Sequence, residues 1–265
     1  MTADIPALEA LAVAIAREAG ALARQRREEG VSIAATKSVL ADIVTEADRE
    51  VEDLIRERLR DARPSDGFLG EESGAEPGTS GITWVVDPID GTVNYAYGIP
   101  MYAVSIAAVS GPPVAGEWTA LVGVVYAPAI DELFRATRGG GAWLGDRRLE
   151  VEPEVSPAGA LLATGFGYDP ATHAGDIARV ARVMPIARDV RRIGAASLDL
   201  CSVAAGRVDG YFERGLKPWD HAAGALIVEE AGGRFGLLEE DDRGRPLIVA
   251  AGPGLFERLV VVALP

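Results

Sequence analysis

Trp84-Val85-Val86-Asp87-Pro88-Ile89-Asp90-Gly91-Thr92 is the stretch from which the rest of the chain can be read. An apolar run of strand character carries two aspartates three residues apart and hands over to a Gly-Thr step that opens a new segment. A strand end holds such carboxylates rigidly. Pro88 stiffens the turn and removes a backbone N–H, and Gly91 lets the backbone approach a ligand closely. Hard cations such as magnesium take oxygen ligands, so Asp87, Asp90 and the intervening Ile89 carbonyl can form most of a coordination shell. An Asx-type turn followed by a helix cap accounts for the same residues without a metal.

Two further acidic segments share this character. In Gly70-Glu71-Glu72-Ser73-Gly74 the acids sit between glycines and off any periodic helix face, where adjacent carboxylates repel unless something cationic holds them. A solvated acidic loop is the alternative. In Lys217-Pro218-Trp219-Asp220-His221-Ala222-Ala223-Gly224, Asp220 precedes a helix of small residues. It reads as the cap of that helix, or as a ligand that brings a carboxylate from the second half of the chain onto a cation held by the first.

Outward from these segments the chain shows two textures. Leu8, Leu11, Ile15 and Leu22 recur at helical spacing up to a stop at Gly30, and a second helix is expected from near Thr45, with Val51, Leu54, Ile55 and Leu59 on its buried side. Strands are expected at 84–86, 103–109, 121–126 and 132–137, ending in a turn around Gly145-Asp146, so the first half reads as α+β. After Pro153 and Pro157 the pattern alternates: strand 161–164, helix from His173, strand 189–191, helix after Gly194, strand 208–213 and helix from Asp220. Alternation of this kind favours an α/β layer with helices covering a sheet. The expected division is 1–153, carrying Glu71, Asp87 and Asp90, and 154–265, carrying Asp220.

Composition narrows the function. With 265 residues, 48% hydrophobic and 25% charged, the chain can bury the core of one large or two modest domains. No apolar run reaches the roughly 20 residues of a membrane helix, and the opening MTADIPALEA has neither a basic leader nor a hydrophobic signal segment, so a cytoplasmic protein without a membrane role is expected. One cysteine, Cys201, cannot make an internal disulfide, and two histidines, His173 and His221, cannot build a histidine-rich zinc centre. A net charge of −14 opposes direct binding to nucleic-acid phosphates, which relies on lysine and arginine. Acidity also serves solubility, so the placement of particular acids has to decide.

Together the three segments resemble the inositol monophosphatase family, part of the lithium-sensitive, metal-dependent sugar-phosphatase superfamily that includes fructose-1,6-bisphosphatase. The family patterns GEE(S), WxxDPxDGTxNF and WDxAAG stand here as GEES (70–73), WVVDPIDGTVNY (84–95) and WDHAAG (219–224), in that order. Asp42-Ile43-Val44-Thr45-Glu46-Ala47-Asp48 is similar to the family's D-x-V-T-x-x-D element, and Tyr95 stands where phenylalanine is commoner. The resemblance covers most of the chain and implies a layered α-β-α-β-α sandwich. It implies a Mg2+-dependent phosphatase for a small phosphate monoester, foremost myo-inositol 1-phosphate, with histidinol phosphate, fructose 1,6-bisphosphate, glycerol 2-phosphate and other sugar phosphates as alternatives.

By the same resemblance, Glu71, Asp87 and the Ile89 carbonyl would hold one magnesium and Asp87, Asp90 and Asp220 a second, with a third, weaker ion near Glu71. A water oriented by Glu71 and Thr92 would attack phosphorus directly. Asp48 would polarise the Thr92 hydroxyl, although Thr45-x-x-Asp48 also reads as a capping box. Lys37 matches a lysine on a mobile family loop. Substrate contacts would fall on Asp90, Gly91, Thr92, Gly194, Ala195, Ala196 and Glu213, with Ala195 lacking a hydroxyl found in the family. The backbone N–H groups of Gly91 and Thr92, at a helix start, can receive phosphate oxygens. Lithium sensitivity, a homodimer and, as in some bacterial relatives, a non-catalytic association with the transcription machinery are further implications.

Other classes fit less well. In haloacid-dehalogenase-like phosphatases the two aspartates are two residues apart, whereas Asp87 and Asp90 are three apart with a proline between them. No stretch supplies the D-x-D-x-D-G calcium loop with its terminal glutamate. Gly165-Phe166-Gly167 runs into Asp169-Pro170 and lacks the third glycine of a dinucleotide fingerprint.

Overall fold

A computed structural model describes residues 4–30, 33–36, 43–112, 114–156 and 158–264. The chain opens with α1 (Ile5–Glu29), β1 (Ile33–Thr36), β2 (Ile43–Thr45) and α2 (Glu46–Ala62). There follow β3 (Gly67–Gly70), β4 (Gly74–Glu76), β5 (Ile82–Asp90), α3 (Thr92–Tyr97), β6 (Ala103–Ser110), β7 (Thr119–Ala127), β8 (Glu132–Thr137), β9 (Gly141–Leu144) and β10 (Arg147–Arg148). The remainder is β11 (Ala160–Thr164), α4 (His173–Val183), β12 (Ala187–Arg191), α5 (Ala196–Ala204), β13 (Gly210–Arg214), α6 (Pro218–Glu230), β14 (Arg234–Glu240), β15 (Pro246–Ala251) and α7 (Pro253–Ala263).

Apart from the antiparallel pair β1-β2, two larger sheets organise these elements into the expected α-β-α-β-α sandwich. The eight-stranded sheet runs β10-β9-β8-β7-β6-β5-β3-β4, antiparallel except where β3 lies parallel to β5. The five-stranded sheet runs β12-β11-β13-β15-β14, with β11 parallel to both β12 and β13 and the other pairs antiparallel. Helices α1 and α2 cover the outer face of the first sheet, α5 and α6 fill the space between the sheets, and α4 and α7 pack together on the outside of the second.

Side-chain alternation along β5 divides its residues between two cores. Trp84 and Val86 face Leu8, Ile15, Val51 and Ile55 of the outer helices, whereas Val85 faces Leu200, Leu226 and Ile227 between the sheets. All nine β5 residues are buried, as suits a strand covered on both faces. The middle core also takes Tyr211 and Ile248 from the second sheet, so one apolar mass ties the two halves together.

Several expectations are corrected. Strand β5 runs on through Asp87 to Asp90, because its pairing with β6 resumes beyond a bulge. GEES is the turn of a β3–β4 hairpin whose two short strands, rich in glycine, lack the alternation that marks longer ones. In α1 Leu8 and Ile15 are buried as expected, but most of the buried face is Ala12, Ala16, Ala19, Gly20 and Ala23, while Leu11 and Leu22 pack against the core only partly buried; a methyl at Gly20 would stand 2.5 Å from the Tyr126 ring. Leu54 of α2 is only half-buried. Helix α6 begins at Pro218, with Lys217 at its cap, so Asp220 lies inside the first turn.

Candidate active site

The connections at one end of both sheets converge on a cleft of about 300 Å³. Glu71 comes from the β3–β4 turn, Asp87, Ile89, Asp90, Gly91 and Thr92 from the end of β5, Gly194, Ala195 and Ala196 from the approach to α5, and Glu213 and Asp220 from β13 and α6. All of these were singled out from the sequence, and the fold brings them to one place. Asp48 stands behind the cleft wall, with its Oδ1 3.2 Å from the Thr92 hydroxyl, which also lies 3.1 Å from the Ile89 carbonyl. Lys37 and Asp42 lie outside the described residues.

Each acid is held by backbone. The Asp87 carboxylate accepts the Ile89 N–H at 3.1 Å, which closes the turn after Pro88. Gly91 caps α3 at φ 89°, and an added Cβ would approach the Met101 carbonyl to 2.9 Å and the Ala195 methyl to 3.1 Å, so only glycine lets the two connections touch. Asp90 accepts the N–H groups of Ala196 and Ser197, at 3.2 and 2.7 Å, together with the Ser197 hydroxyl. It therefore caps the start of α5 from a distant part of the chain and fixes the Gly194–Ala196 segment beside the acids. Asn94 adds a second tie by donating to the carbonyls of Met101 and Ile193. Asp220 accepts the Lys217 N–H at 2.7 Å, and the Glu71 N–H donates to the Val86 carbonyl.

The electrostatics of the cleft are those of crowded acids. Burial pushes the Asp87 carboxyl well above the usual aspartate range, and repulsion from Glu71, Asp90, Asp220 and Asp48 adds to it. Asp220 is raised in the same way by burial and by Glu71 and Asp90. Asp90 is raised by burial too, with the donors from Ser197, Ala196 and Gly91 acting against the shift. Burial lifts Glu213 to about 7, opposed by the Tyr211 hydroxyl that donates to it at 2.6 Å and by the charge of Arg192.

This donor set suits a hard cation. Every candidate ligand is a carboxylate or carbonyl oxygen, and a divalent ion would relieve the repulsion that lifts Asp87 and Asp220. Among the described residues no three acidic, histidine or cysteine side chains form a closed metal-binding group.

The sequence reading passed over Ser197, Tyr168, Arg192 and Asp199. Ser197 sits in an apolar run, and only its hydrogen bonds to Asp90 reveal its part. Tyr168 and Arg192 line the cleft from loops with no periodic pattern. Asp199 is buried on α5 with neither carboxylate oxygen hydrogen-bonded, and burial, followed by repulsion from Glu213 and Asp90, holds it well above the usual range. A lone acid among Ala, Leu and Cys was a readable signal for it. Arg214 leaves the cleft floor and donates to the carbonyls of Glu239 and Arg245, so it does not pair with Glu213.

Comparison with known proteins places these features in context. The inositol monophosphatase family profile matches residues 5–260. Inositol-1-monophosphatase SuhB of Mycobacterium tuberculosis is 44% identical over 273 aligned residues, spanning 96% of this chain and 92% of that protein. Nus factor SuhB of Pasteurella multocida is 44% identical over 84% of this chain and 82% of its own length. The crystal structure of extragenic suppressor protein suhB from Bartonella henselae superposes with a TM-score of 0.87 at 37% identity, covering 97% of this chain and 98% of that one.

Proposed function

This chain belongs to the inositol monophosphatase family, and from that premise we propose that it is a Mg2+-dependent phosphatase of a small phosphate monoester, with inositol 1-phosphate as the first candidate substrate. The observation that carries the reading is the gathering of Asp87, Asp90 and Asp220 with Glu71 in one cleft, where burial raises all three aspartates and repulsion among the acids adds to the shifts of Asp87 and Asp220. Glu71, Asp87 and the Ile89 carbonyl would hold one ion and Asp87, Asp90 and Asp220 the other. Magnesium bound there supplies positive charge for the phosphoryl oxygens and lowers the pKa of water.

The chain's own groups do the rest. Glu71 and the Thr92 hydroxyl would orient the attacking water, and Asp48 holds that hydroxyl by accepting from it, which leaves the oxygen's lone pairs facing the cleft. Thr92 can instead donate to the Ile89 carbonyl. The Thr92 N–H would offer a contact to the phosphate, whereas the Gly91 N–H is directed to Asp90. Gly194, Ala195 and Ala196 would line the alcohol side through backbone alone, while Glu213 accepts from ring hydroxyls. A phosphate-release panel over inositol 1-phosphate, fructose 1,6-bisphosphate, histidinol phosphate and glycerol 2-phosphate, run with magnesium and again with chelator, tests this reading. A dominant, magnesium-dependent rate on inositol 1-phosphate supports it, and a rate on none of the four refutes it.

The relative named Nus factor SuhB favours a second role alongside catalysis, as a binding partner of the transcription machinery. An affinity pull-down with Asp87→Asn separates the two: capture of RNA polymerase by the inactive variant supports the second role, and capture by neither protein refutes it.

A further inference from the structure

We propose that Glu52 is a positioning residue for Glu71: a buried carboxylate that fixes the turn of the GEES hairpin by accepting both N–H groups that follow Glu71. The proposal rests on the phosphatase reading above for its functional consequence. The core-facing stripe of α2 reads Asp48, Val51, Glu52, Ile55 and Leu59, so two acids stand among aliphatic residues. A carboxylate buried without hydrogen bonds is strongly unfavourable, and Glu52, 2% exposed, answers that cost with both of its oxygens. Its Oε2 accepts the Glu72 N–H at 2.9 Å and its Oε1 the Ser73 N–H at 2.7 Å.

The neighbouring glycine shows how tightly this is built. A Cβ at Gly70 would stand 2.5 Å from Glu52 Oε2 and 2.5 Å from the Phe68 ring, so the first residue of GEES has to be glycine for the carboxylate to reach the turn. Helix α2 grips the same hairpin at its other strand, where Arg56 and Arg60 donate to Glu76 at 2.9 and 3.2 Å. One turn of helix before Glu52, Asp48 accepts from Thr92. A single face of α2 thus holds the turn carrying Glu71 and the threonine opposite it, and the distance between the two is set by a rigid helix rather than by loops.

Glu52→Gln tests the role. Glutamine keeps the shape but can accept only one of the two N–H groups and turns its own NH2 toward the other. Loss of a group hydrogen-bonded to a metal ligand typically costs 10–100-fold in metal affinity or activity; Glu52 holds the residues that follow Glu71 rather than its carboxylate, so the magnesium concentration for half-maximal phosphate release should rise by about tenfold, the lower end of that range. Leu59→Ala, on the same buried stripe two turns away, should lower the melting temperature and leave the magnesium dependence where it was. If Glu52→Gln lowers stability as Leu59→Ala does but leaves the magnesium midpoint within twofold of the parent, the role is structural only and the proposal fails. Magnesium calorimetry on the two proteins reads the same difference without turnover, so a parent protein with no phosphatase activity would refute the functional reading while the role of Glu52 is still decided. Hydrogen exchange on the unmodified protein covers a variant that does not fold: slow Glu72 and Ser73 amides support the proposal, and amides as fast as those of an open turn overturn it.

Discussion

Replacing Glu213 should cost activity selectively, and in a way that depends on pH. The carboxyl sits on the cleft floor, with the Tyr211 hydroxyl donating to Oε2 and burial lifting its pKa from 4.5 to about 7. Only the ionised form accepts freely from the hydroxyls of a polyol, and hydrogen bonds to a charged group contribute about 1.5–3 kcal/mol. Glu213→Ala should therefore reduce kcat/KM for inositol 1-phosphate by roughly 10–150-fold at pH 8, while p-nitrophenyl phosphate, which has no ring hydroxyls, changes little. In the parent enzyme the ionised fraction rises about tenfold between pH 6 and pH 8 for a group of pKa near 7. The polyol rate should climb by a similar factor relative to the nitrophenyl rate, and that extra limb should vanish in Glu213→Gln. Gly165→Ala supplies an independent route to the same outcome, since its Cβ would overlap the Glu213 carboxylate. The assay is phosphate release against pH for both esters and all four proteins. Equal losses on the two esters, or a polyol profile unchanged in Glu213→Gln, would refute the specificity role.

Three further outcomes follow from the crowded acids and their supports. Groups whose pKa is raised on folding add stability at low pH and lose it as pH rises, so the metal-free protein should melt progressively lower as pH climbs above the ordinary aspartate range; calorimetry in chelator showing a flat or opposite trend would contradict the shifts of Asp87 and Asp220. Magnesium at about 100 times its dissociation constant should raise the melting temperature by about 5–10 °C in the parent and far less in Asp87→Asn, as read by differential scanning fluorimetry. Thr92→Val should lower kcat by about 10²-fold or more with little change in KM, whereas Asp48→Asn, which still accepts from the hydroxyl, should lose less; a larger loss in Asp48→Asn than in Thr92→Val in steady-state kinetics would show that Asp48 does not act through Thr92.

The sequence made the layered fold and the cleft legible for different reasons. Long apolar strands and alternating helices announce themselves by period as an α+β half and an α/β half, whereas the layered sandwich and the pooling of the acids followed from the resemblance that three short motifs carry. What stayed hidden depends on contacts between distant residues. Nothing local marks Ser197 as the donor that orients Asp90, nor Gly70 as the gap that admits Glu52. The alanine face of α1 reads as weak amphipathicity, although small residues are what let that helix lie close on the sheet. The short β3–β4 hairpin has too few residues for a period, and β14, β15 and α7 near the end of the chain gave no strong signal against their polar connections. Asp220 reads in the sequence as a cap or a ligand, but the helix begins two residues earlier, because proline is well suited to the first helical position.

The most direct test of the central claim is phosphate release from inositol 1-phosphate by the purified protein and its Asp87→Asn variant, titrated with magnesium from chelated to saturating levels. A parent rate that rises from zero with magnesium, together with a variant that stays near zero at every concentration, is the predicted result. Release that persists in chelator, or an Asp87→Asn variant that turns over like the parent, would contradict it.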